Sequence, residues 1–202
     1  MNLLSYGRDA VLVELDDPAQ VSGWVRLARS LTEVTEVVPG ARTVLVRTTD
    51  TALDAVRTAL AETAATPLEP IDPVQLGPLV EIPVRYDGAD LNEVARLTAL
   101  DPEEVAQLHS DADYVVRFCG FSPGFAYLDG LDSRLHVPRR SEPRTSVPAG
   151  AVAVAGEFTA VYPRSSPGGW QLLGSTDVPL WDVHRDPPAL LAPGTRVRFV
   201  AQ

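Results

Sequence analysis

Residues 114–129 read YVVRFCGFSPGFAYLD, two runs rich in valine and aromatic residues on either side of a turn that contains Pro123 and Gly124. Similar short apolar runs alternate with proline and glycine turns from Asp113 onward, at intervals of about 8 to 12 residues, and helical periodicity disappears there. This spacing is typical of a β-barrel or a β-sandwich. We therefore predict that the C-terminal part of the chain is mostly β.

Strand and helix signals alternate upstream of this region. The valine-rich run from Ala10 to Leu15 predicts a strand, and apolar residues at helical spacing between Pro18 and Thr32 predict an amphipathic helix. Two valine-rich runs separated by Pro39-Gly40 predict a hairpin, and Asp50 is a candidate N-cap for a second amphipathic helix. The order β-α-β-β-α predicts a ferredoxin-like α+β domain, whose last strand we place near Leu76 to Ile82.

A proline-rich stretch marks the predicted domain boundary. Residues 66–78, TPLEPIDPVQLGP, hold four prolines in thirteen residues and predict a linker. We predict an N-terminal α+β domain over residues 1–78 and a second domain over residues 79–202. After the linker, LVEIPVRY predicts a strand, and two short acidic helices follow with Asp90 and Asp101 as their N-caps.

The composition excludes several classes of function. The 202 residues include 17 basic and 27 acidic side chains, a formal charge of -10 that repels phosphate backbones, so nucleic acid is not an expected partner. All 17 basic residues are arginine, which excludes a Schiff-base lysine and the lysine of a P-loop. One cysteine and no metal-ligand spacing predict no metal. No apolar run approaches the roughly 18 residues of a membrane span, so we expect a cytoplasmic protein without a membrane partner.

The stretch HVPRRSEPR begins at His136 and concentrates positive charge in a loop that two prolines stiffen. Guanidinium groups present paired donors in a plane, so Arg139, Arg140 and Arg144 are candidates to bind a carboxylate or a phosphate. His136 abuts this loop and is the best placed histidine for acid-base chemistry. The alternative is that the arginines pair with Glu142 and neighbouring acids on a solvated loop.

Two glycine-rich turns flank the arginine loop, one in FCGFSPGFAYL and one in SSPGGWQLLGST. Paired glycines permit backbone N–H groups to converge on an anion. Neither turn matches a P-loop or GxSxG, so no motif marks their serines as nucleophiles. The alternative is that both segments are barrel turns around buried aromatic side chains.

The run FCGFSPGFAYLDGLDSRLHVPRRSEPRTSVPAG, followed by AVYPRSSPGGWQLLGST, closely resembles the family of 5-oxoprolinase B subunits, also called KipI-like or allophanate hydrolase subunit 1. The resemblance covers essentially the whole chain, including PVRY and the closing LLAPGTRVRFV. It implies a small N-terminal α+β domain followed by a cyclophilin-like, carboxyltransferase-type β-barrel. It also implies two partners, the A and C subunits of 5-oxoprolinase, and ATP that the assembled complex consumes and binds mainly on a partner.

The activity that the resemblance implies is the ATP-dependent conversion of 5-oxo-L-proline to L-glutamate. Two alternatives stay open, a KipI-like protein that binds and inhibits a sensor histidine kinase, and a component of a urea or allophanate-type amidohydrolase or carboxyltransferase. The chain departs from the family at Phe158, Thr159 and Ala160, where relatives often have QTG, and at Ser175, where they often have a basic residue. These departures leave the substrate open.

The residue patterns and the resemblance together define a candidate site. Its candidate catalytic residues are His136 and Arg144. Its candidate substrate-binding residues are Arg139, Arg140, Ser122, Gly124, Tyr162, Ser166, Gly168, Gly169, Trp170 and Thr176. Aromatic residues near the turns also predict an apolar patch for the carboxyltransferase-like C subunit, formed by Phe121, Phe125, Tyr127, Trp170 and Trp181.

Overall fold

The computed structural model describes residues 1–49, 51–63 and 77–202. The chain divides into two compact units, Met1–Gln75 and Leu76–Gln202, and each contains both helices and strands. The protein is therefore of the mixed α+β class. Within the described ranges, no helix is both long enough and apolar enough to span a lipid bilayer.

An antiparallel four-stranded sheet and two helices form the N-terminal unit. Val11 and Val13 of its second strand are buried, and the first helix adds Trp24 and Ala28 to the same core. These contacts confirm the predicted strand, helix and hairpin. The elements are β1 (Asn2–Tyr6), β2 (Ala10–Glu14), α1 (Val21–Ser30), β3 (Val34–Pro39), β4 (Thr43–Thr48) and α2 (Leu53–Thr63), with strand order β1-β2-β4-β3.

The predicted last strand of this sheet is wrong. Leu79–Val84 pairs in parallel with Arg196–Ala201 in the C-terminal unit, and β1 occupies the sheet edge beside β2. Burial explains this partner, because Ile82 and Val84 are fully buried in the C-terminal core. The ferredoxin-like topology stays a prediction, and the candidate N-cap Asp50 lies outside the described residues.

A nearly closed seven-stranded sheet dominates the C-terminal unit. The elements of this unit are β5 (Leu79–Val84), α3 (Leu91–Thr98), α4 (Pro102–Asp111), β6 (Tyr114–Cys119), β7 (Ala126–Asp129), β8 (Arg144–Val147), β9 (Ala151–Ala155), β10 (Phe158–Val161), β11 (Ser166–Gly168), β12 (Gln171–Ser175) and β13 (Arg196–Ala201). The strand order of the large sheet is β12-β9-β10-β7-β6-β13-β5, and an antiparallel bridge between Arg85 and Ser175 brings the two outer strands together. A separate ribbon pairs β8 with β11.

The two helices of this unit begin differently, although both were predicted to have an aspartate cap. Asp101 forms a capping box with Glu104, whose carboxylate accepts the Asp101 backbone N–H at 2.9 Å. Asp90 occupies the N-cap position of α3 but caps no backbone N–H with its side chain. The predicted N-cap position is therefore confirmed, but the Asp90 carboxylate has its partners outside the helix.

A buried histidine lies in the interior of the barrel-like sheet. His109 is fully buried, and its ring stacks on Phe199 with centroids 4.5 Å apart. Its Nε2–H donates to Oγ1 of Thr159 at 2.8 Å, because that hydroxyl itself donates to the Ala153 carbonyl. Its Nδ1 therefore accepts from the Tyr86 hydroxyl, also at 2.8 Å. Burial lowers the pKa of His109 to about 3, so the ring is neutral and every polar atom on it is satisfied.

Candidate functional site

The arginine loop is anchored to a carboxylate from outside the loop. Arg140 Nη1 and Arg144 Nη2 both donate to Oδ1 of Asp90, at 2.7 and 2.8 Å. The backbone N–H of Leu172 donates to the other oxygen, Oδ2, at 2.8 Å. The Asp90 side chain is only 3% exposed. The alternative pairing with Glu142 is wrong for these two arginines, since Arg140 contacts only the backbone carbonyl of Glu142.

The environment of Asp90 favours its ionised form. Burial alone raises the pKa of this carboxyl, but hydrogen bonds from Arg144 and from the Leu172 N–H, together with the charges of Arg144 and Arg140, outweigh burial. The net effect is a pKa below the usual range of an aspartate. Asp90 is therefore a charged group in the interior that two arginines and one amide stabilise.

A glycine two residues upstream lets Asp90 reach this position. The Gly88 and Asp90 backbone N–H groups donate to the carbonyls of Leu173 and Leu172, each at 3.0 Å. A Cβ on Gly88 would lie 2.3 Å from the Leu172 carbonyl oxygen. The chain before α3 therefore runs directly against β12, and only glycine fits there.

The second glycine-rich turn lies beside the arginine loop. The Arg140 N–H donates to the Gly169 carbonyl at 2.8 Å, and the Gln171 side-chain amide donates to the Pro138 carbonyl at 3.3 Å. A Cβ on Gly168 would meet the Tyr162 hydroxyl at 2.3 Å. The structure thus brings the predicted loop, the predicted turn and Tyr162 together.

Aromatic rings surround Tyr162, which is itself buried. The Phe125 ring packs edge-on against Tyr127, Tyr162 and Trp170, with centroid separations of 5.1 to 5.6 Å. Phe121 adopts a positive φ of 67° and is 62% exposed at the margin of this cluster. The predicted apolar patch is therefore wrong for the buried Phe125 and Trp170, and Phe121 and Trp181 are its exposed members.

Arg139 differs from the two other arginines of the loop. Its side chain is exposed and makes no hydrogen bond or ion pair with any residue in the described ranges. Burial raises the pKa of Tyr127 and of Tyr162, and the positive charge of Arg139 offsets part of this rise in both phenols. Arg139 is therefore a free cation beside the aromatic cluster.

Several buried polar atoms near this cluster have no hydrogen-bond partner. In the ranges that the structure describes, most buried polar atoms are satisfied, as is usual in folded proteins. The exceptions in the C-terminal unit lie on four residues, three of them predicted site residues and the fourth adjacent to Trp170. They are Ser122 Oγ, Arg144 Nη1, Ser166 Oγ and Gln171 Oε1.

The remaining predicted residues lie in other surroundings. His136 is exposed, and its Nε2 is 3.1 Å from the Leu131 carbonyl. Gly124 has a positive φ of 81° and packs closely against Trp181, a backbone position in the turn that favours glycine. Thr176 follows β12 at the end away from Trp170, and its N–H donates to the Gly150 carbonyl. The structure therefore does not bring Thr176 to the arginine loop.

The described residues show neither an activated cysteine nor a group of side chains arranged as a metal centre. Burial raises the pKa of the Cys119 thiol, which disfavours the reactive thiolate. Across those ranges no three histidine, cysteine or acidic side chains group in a way that holds a metal ion. The arrangement of arginines, amides and aromatic rings is suited instead to binding a small anionic molecule with an apolar body.

Asp90 belongs to this site but was not predicted as a member of it. The segment 117–182 holds six arginines and six acids, so its charges balance without any contribution from outside. Asp90 lies 50 residues before Arg140, at a position that helix-capping rules already explain. The one sequence feature that bears on Asp90 is the nearby Gly88. Its close backbone contact with β12 is visible only in the three-dimensional structure.

Comparison with known proteins agrees with this fold. The chain belongs to the family described as carboxyltransferase domain, subdomain C and D, whose family model matches residues 1–191. Within that family, it is 45% identical to the 5-oxoprolinase B subunit of Escherichia coli O157:H7 over 209 residues, which cover 97% of this chain and 94% of the relative. The resemblance found in the sequence is confirmed.

Solved structures show the same fold. The crystal structure of TTHA0988 matches with a TM-score of 0.75 and 36% identity over 96% of this chain, and this chain spans 40% of the TTHA0988 chain. The urea amidolyase of K. lactis matches with a TM-score of 0.75 over 99% of this chain and 15% of its own, at 18% identity. At that identity, the likeness to the urea amidolyase extends to the fold alone.

Proposed function

We propose that this chain is the B subunit of an ATP-dependent 5-oxoprolinase complex that converts 5-oxo-L-proline to L-glutamate. The observation that carries the proposal is the 45% identity to a 5-oxoprolinase B subunit along nearly the full length of both chains. The free arginine beside buried aromatic rings supports it, because 5-oxoproline combines a carboxylate with a compact five-membered ring.

The reaction requires activation of a poor electrophile. In the proposed route, the lactam oxygen attacks the γ-phosphorus of ATP and ADP leaves. Water then adds to the activated carbon, and the C–N bond breaks to release the free amine and leave a γ-glutamyl phosphate. A second water displaces inorganic phosphate from this acyl phosphate and leaves the γ-carboxylate of glutamate. Cationic and N–H donors stabilise the negative charge that develops on oxygen, and the arginine loop and the glycine-rich turn can supply such donors.

The proposed complex divides these tasks among its components. We assign ATP mainly to a partner protein, and we place the A and C subunits of 5-oxoprolinase as the partners that complete the activity in the cytoplasm.

We also propose that the N-terminal unit is the ferredoxin-like domain and that the C-terminal unit is the cyclophilin-like, carboxyltransferase-type barrel. The exposed Phe121 and Trp181 are the aromatic residues we assign to contact with the C subunit.

Reconstitution tests the proposed function. The chain alone is expected to show no ATP hydrolysis that depends on 5-oxoproline, whereas a mixture with the A and C subunits produces glutamate, ADP and phosphate in equal amounts. A mixture of those two partners without this chain is the control. A complete complex that forms no glutamate contradicts the proposal.

A further inference from the structure

The arginine loop carries more positive charge than its own contacts neutralise. Arg139, Arg140 and Arg144 lie within six residues, and Asp90 is the one carboxylate in the described ranges that pairs with any of them. With Glu142, which lies in the same loop, the local balance is three cations against two anions, in a protein whose net charge is -10. This local excess of one positive charge favours the binding of an anion.

Two guanidinium groups at this place have donors without acceptors. Arg144 uses Nη2 for Asp90, while its Nη1 is buried and has no partner. Arg139 has no partner at all among the described residues, although the backbone on both sides of it is fixed to the β11–β12 turn through Pro138 and Arg140. A buried donor without an acceptor is costly, and a ligand that accepts from it removes that cost.

Tyr162 connects these two donors. Arg144 pairs with Gly168 across the β8–β11 ribbon, and the N–H of Arg140, next to Arg139, donates to the Gly169 carbonyl. Burial raises the pKa of the Tyr162 phenol, and the charges of Arg139 and Arg144 offset part of that rise. Its hydroxyl lies against Gly168, and its ring contacts the Phe125 cluster. The two arginines therefore lie on backbone segments that adjoin the turn packed against Tyr162.

We propose that Arg139 and Nη1 of Arg144 bind the carboxylate of a small carboxylated ring compound against Tyr162, and that Arg140 is a positioning residue that acts through Asp90. The identity of that compound as 5-oxoproline rests on the proposed function, whereas the anion site rests on the contacts above. A single carboxylate offers two oxygens to the two donors. The adjoining aromatic rings suit a compact ring better than a polyphosphate.

Side-chain NMR of the arginines tests this site without any requirement for catalysis. The full chain is titrated with sodium acetate, and the Nε–H resonances of Arg139 and Arg144 are expected to shift and saturate while that of Arg140 does not. Arg139→Gln is expected to weaken acetate binding by about 10- to 150-fold, the equivalent of one charge-assisted hydrogen bond. Arg198→Gln removes the same charge from an exposed pair with Asp113 and serves as the matched control.

A parallel titration with inorganic phosphate identifies the anion. Saturation by phosphate at lower concentration than by acetate would assign the site to a phosphoryl group and overturn the carboxylate assignment. The absence of any saturable shift at Arg139 with acetate would overturn the site itself.

Kinetics of the assembled complex separates this inference from the proposed function. Arg139→Gln is expected to raise the KM for 5-oxoproline more than it lowers kcat, because the carboxylate keeps its charge throughout the reaction and takes no part in the bond that breaks. An active complex whose KM is unchanged in Arg139→Gln overturns the inference and leaves the function intact. An inactive wild-type complex together with normal acetate shifts removes the function and supports the anion site.

Discussion

His109 and Tyr162 are both buried aromatic residues of the C-terminal unit, and their polar surroundings are opposite. Both ring nitrogens of His109 have partners at 2.8 Å, which closes a network with Tyr86 and Thr159. Around Tyr162, by contrast, a free arginine and buried atoms of Ser166 and Arg144 have no partner. A closed network contributes to stability, whereas a region with unused donors retains capacity for a ligand.

The largest expected effect comes from the anchor of the arginine loop. Asp90→Asn removes the charge that pairs with Arg140 and Arg144, and the loss of one partner of a buried ion pair typically costs about 3 to 5 kcal/mol. We expect a correspondingly lower Tm in a thermal melt followed by circular dichroism. Asp177→Asn is the control, because it breaks only an exposed pair with Arg85, worth about 0 to 1 kcal/mol. Equal losses in the two variants would show that Asp90 is not an anchor.

The closed network predicts a dependence of stability on pH. The pKa of His109 is lowered from its ordinary value of 6.5 to about 3, so below pH 6.5 the unfolded chain binds a proton that the folded chain does not. Stability from this group is therefore complete above about pH 6.5 and is lost as the pH falls toward 3, at up to about 1.4 kcal/mol per pH unit.

Urea unfolding between pH 7 and pH 5 measures this slope. His109→Gln is expected to be less stable at pH 7 but to lose less stability on acidification than the wild type. The exposed His184→Gln variant is expected to retain the wild-type slope. A His109→Gln variant with the full wild-type slope would mean that other groups cause the pH dependence.

The smallest expected change in stability is that of Ser166→Ala, and its comparison with Thr159→Val contrasts the surroundings of Tyr162 with those of His109. Thr159→Val removes the acceptor of His109 Nε2–H and is expected to cost about 1 to 3 kcal/mol, since it leaves a buried donor unpaired. Ser166→Ala removes a buried hydroxyl that has no partner, so a change within about 0.5 kcal/mol is expected. Chemical denaturation of both variants gives the comparison, which fails if Ser166→Ala is the more destabilised.

Local patterns predicted most elements of the fold. The helix after Pro18, the hairpin at Pro39-Gly40 and the N-cap at Asp101 were predictable because their signals lie within a few residues. The partner of Leu79–Val84 was not, because a short apolar strand carries no mark of the strand with which it pairs. Similarly, β1 has mostly exposed side chains and gave no strand signal.

The sequence predicted which segments form the candidate site, but not which role each arginine has in it. The residue patterns and the family resemblance placed the arginine loop and the glycine-rich turn in one candidate site, and hydrogen bonds link the two segments. Whether Arg139 or Arg140 faces a distant carboxylate depends on the backbone direction at each residue. That direction is set by the turn at Gly169 and by Gly88, far apart in sequence, so no local rule distinguishes the two arginines.

The parallel pairing of β5 with β13 has a consequence for how the protein is made. The partners in this ladder are separated by more than 110 residues, so the search for contact is long and the entropy of loop closure is large. During synthesis from the N-terminus, β5 leaves the ribosome well before β13 has been synthesised, so β5 stays unpaired until then. The four-strand ladder of the N-terminal unit, in contrast, is complete once residue 48 has emerged. We therefore expect the N-terminal unit to fold during translation and the barrel-like sheet to close only afterwards.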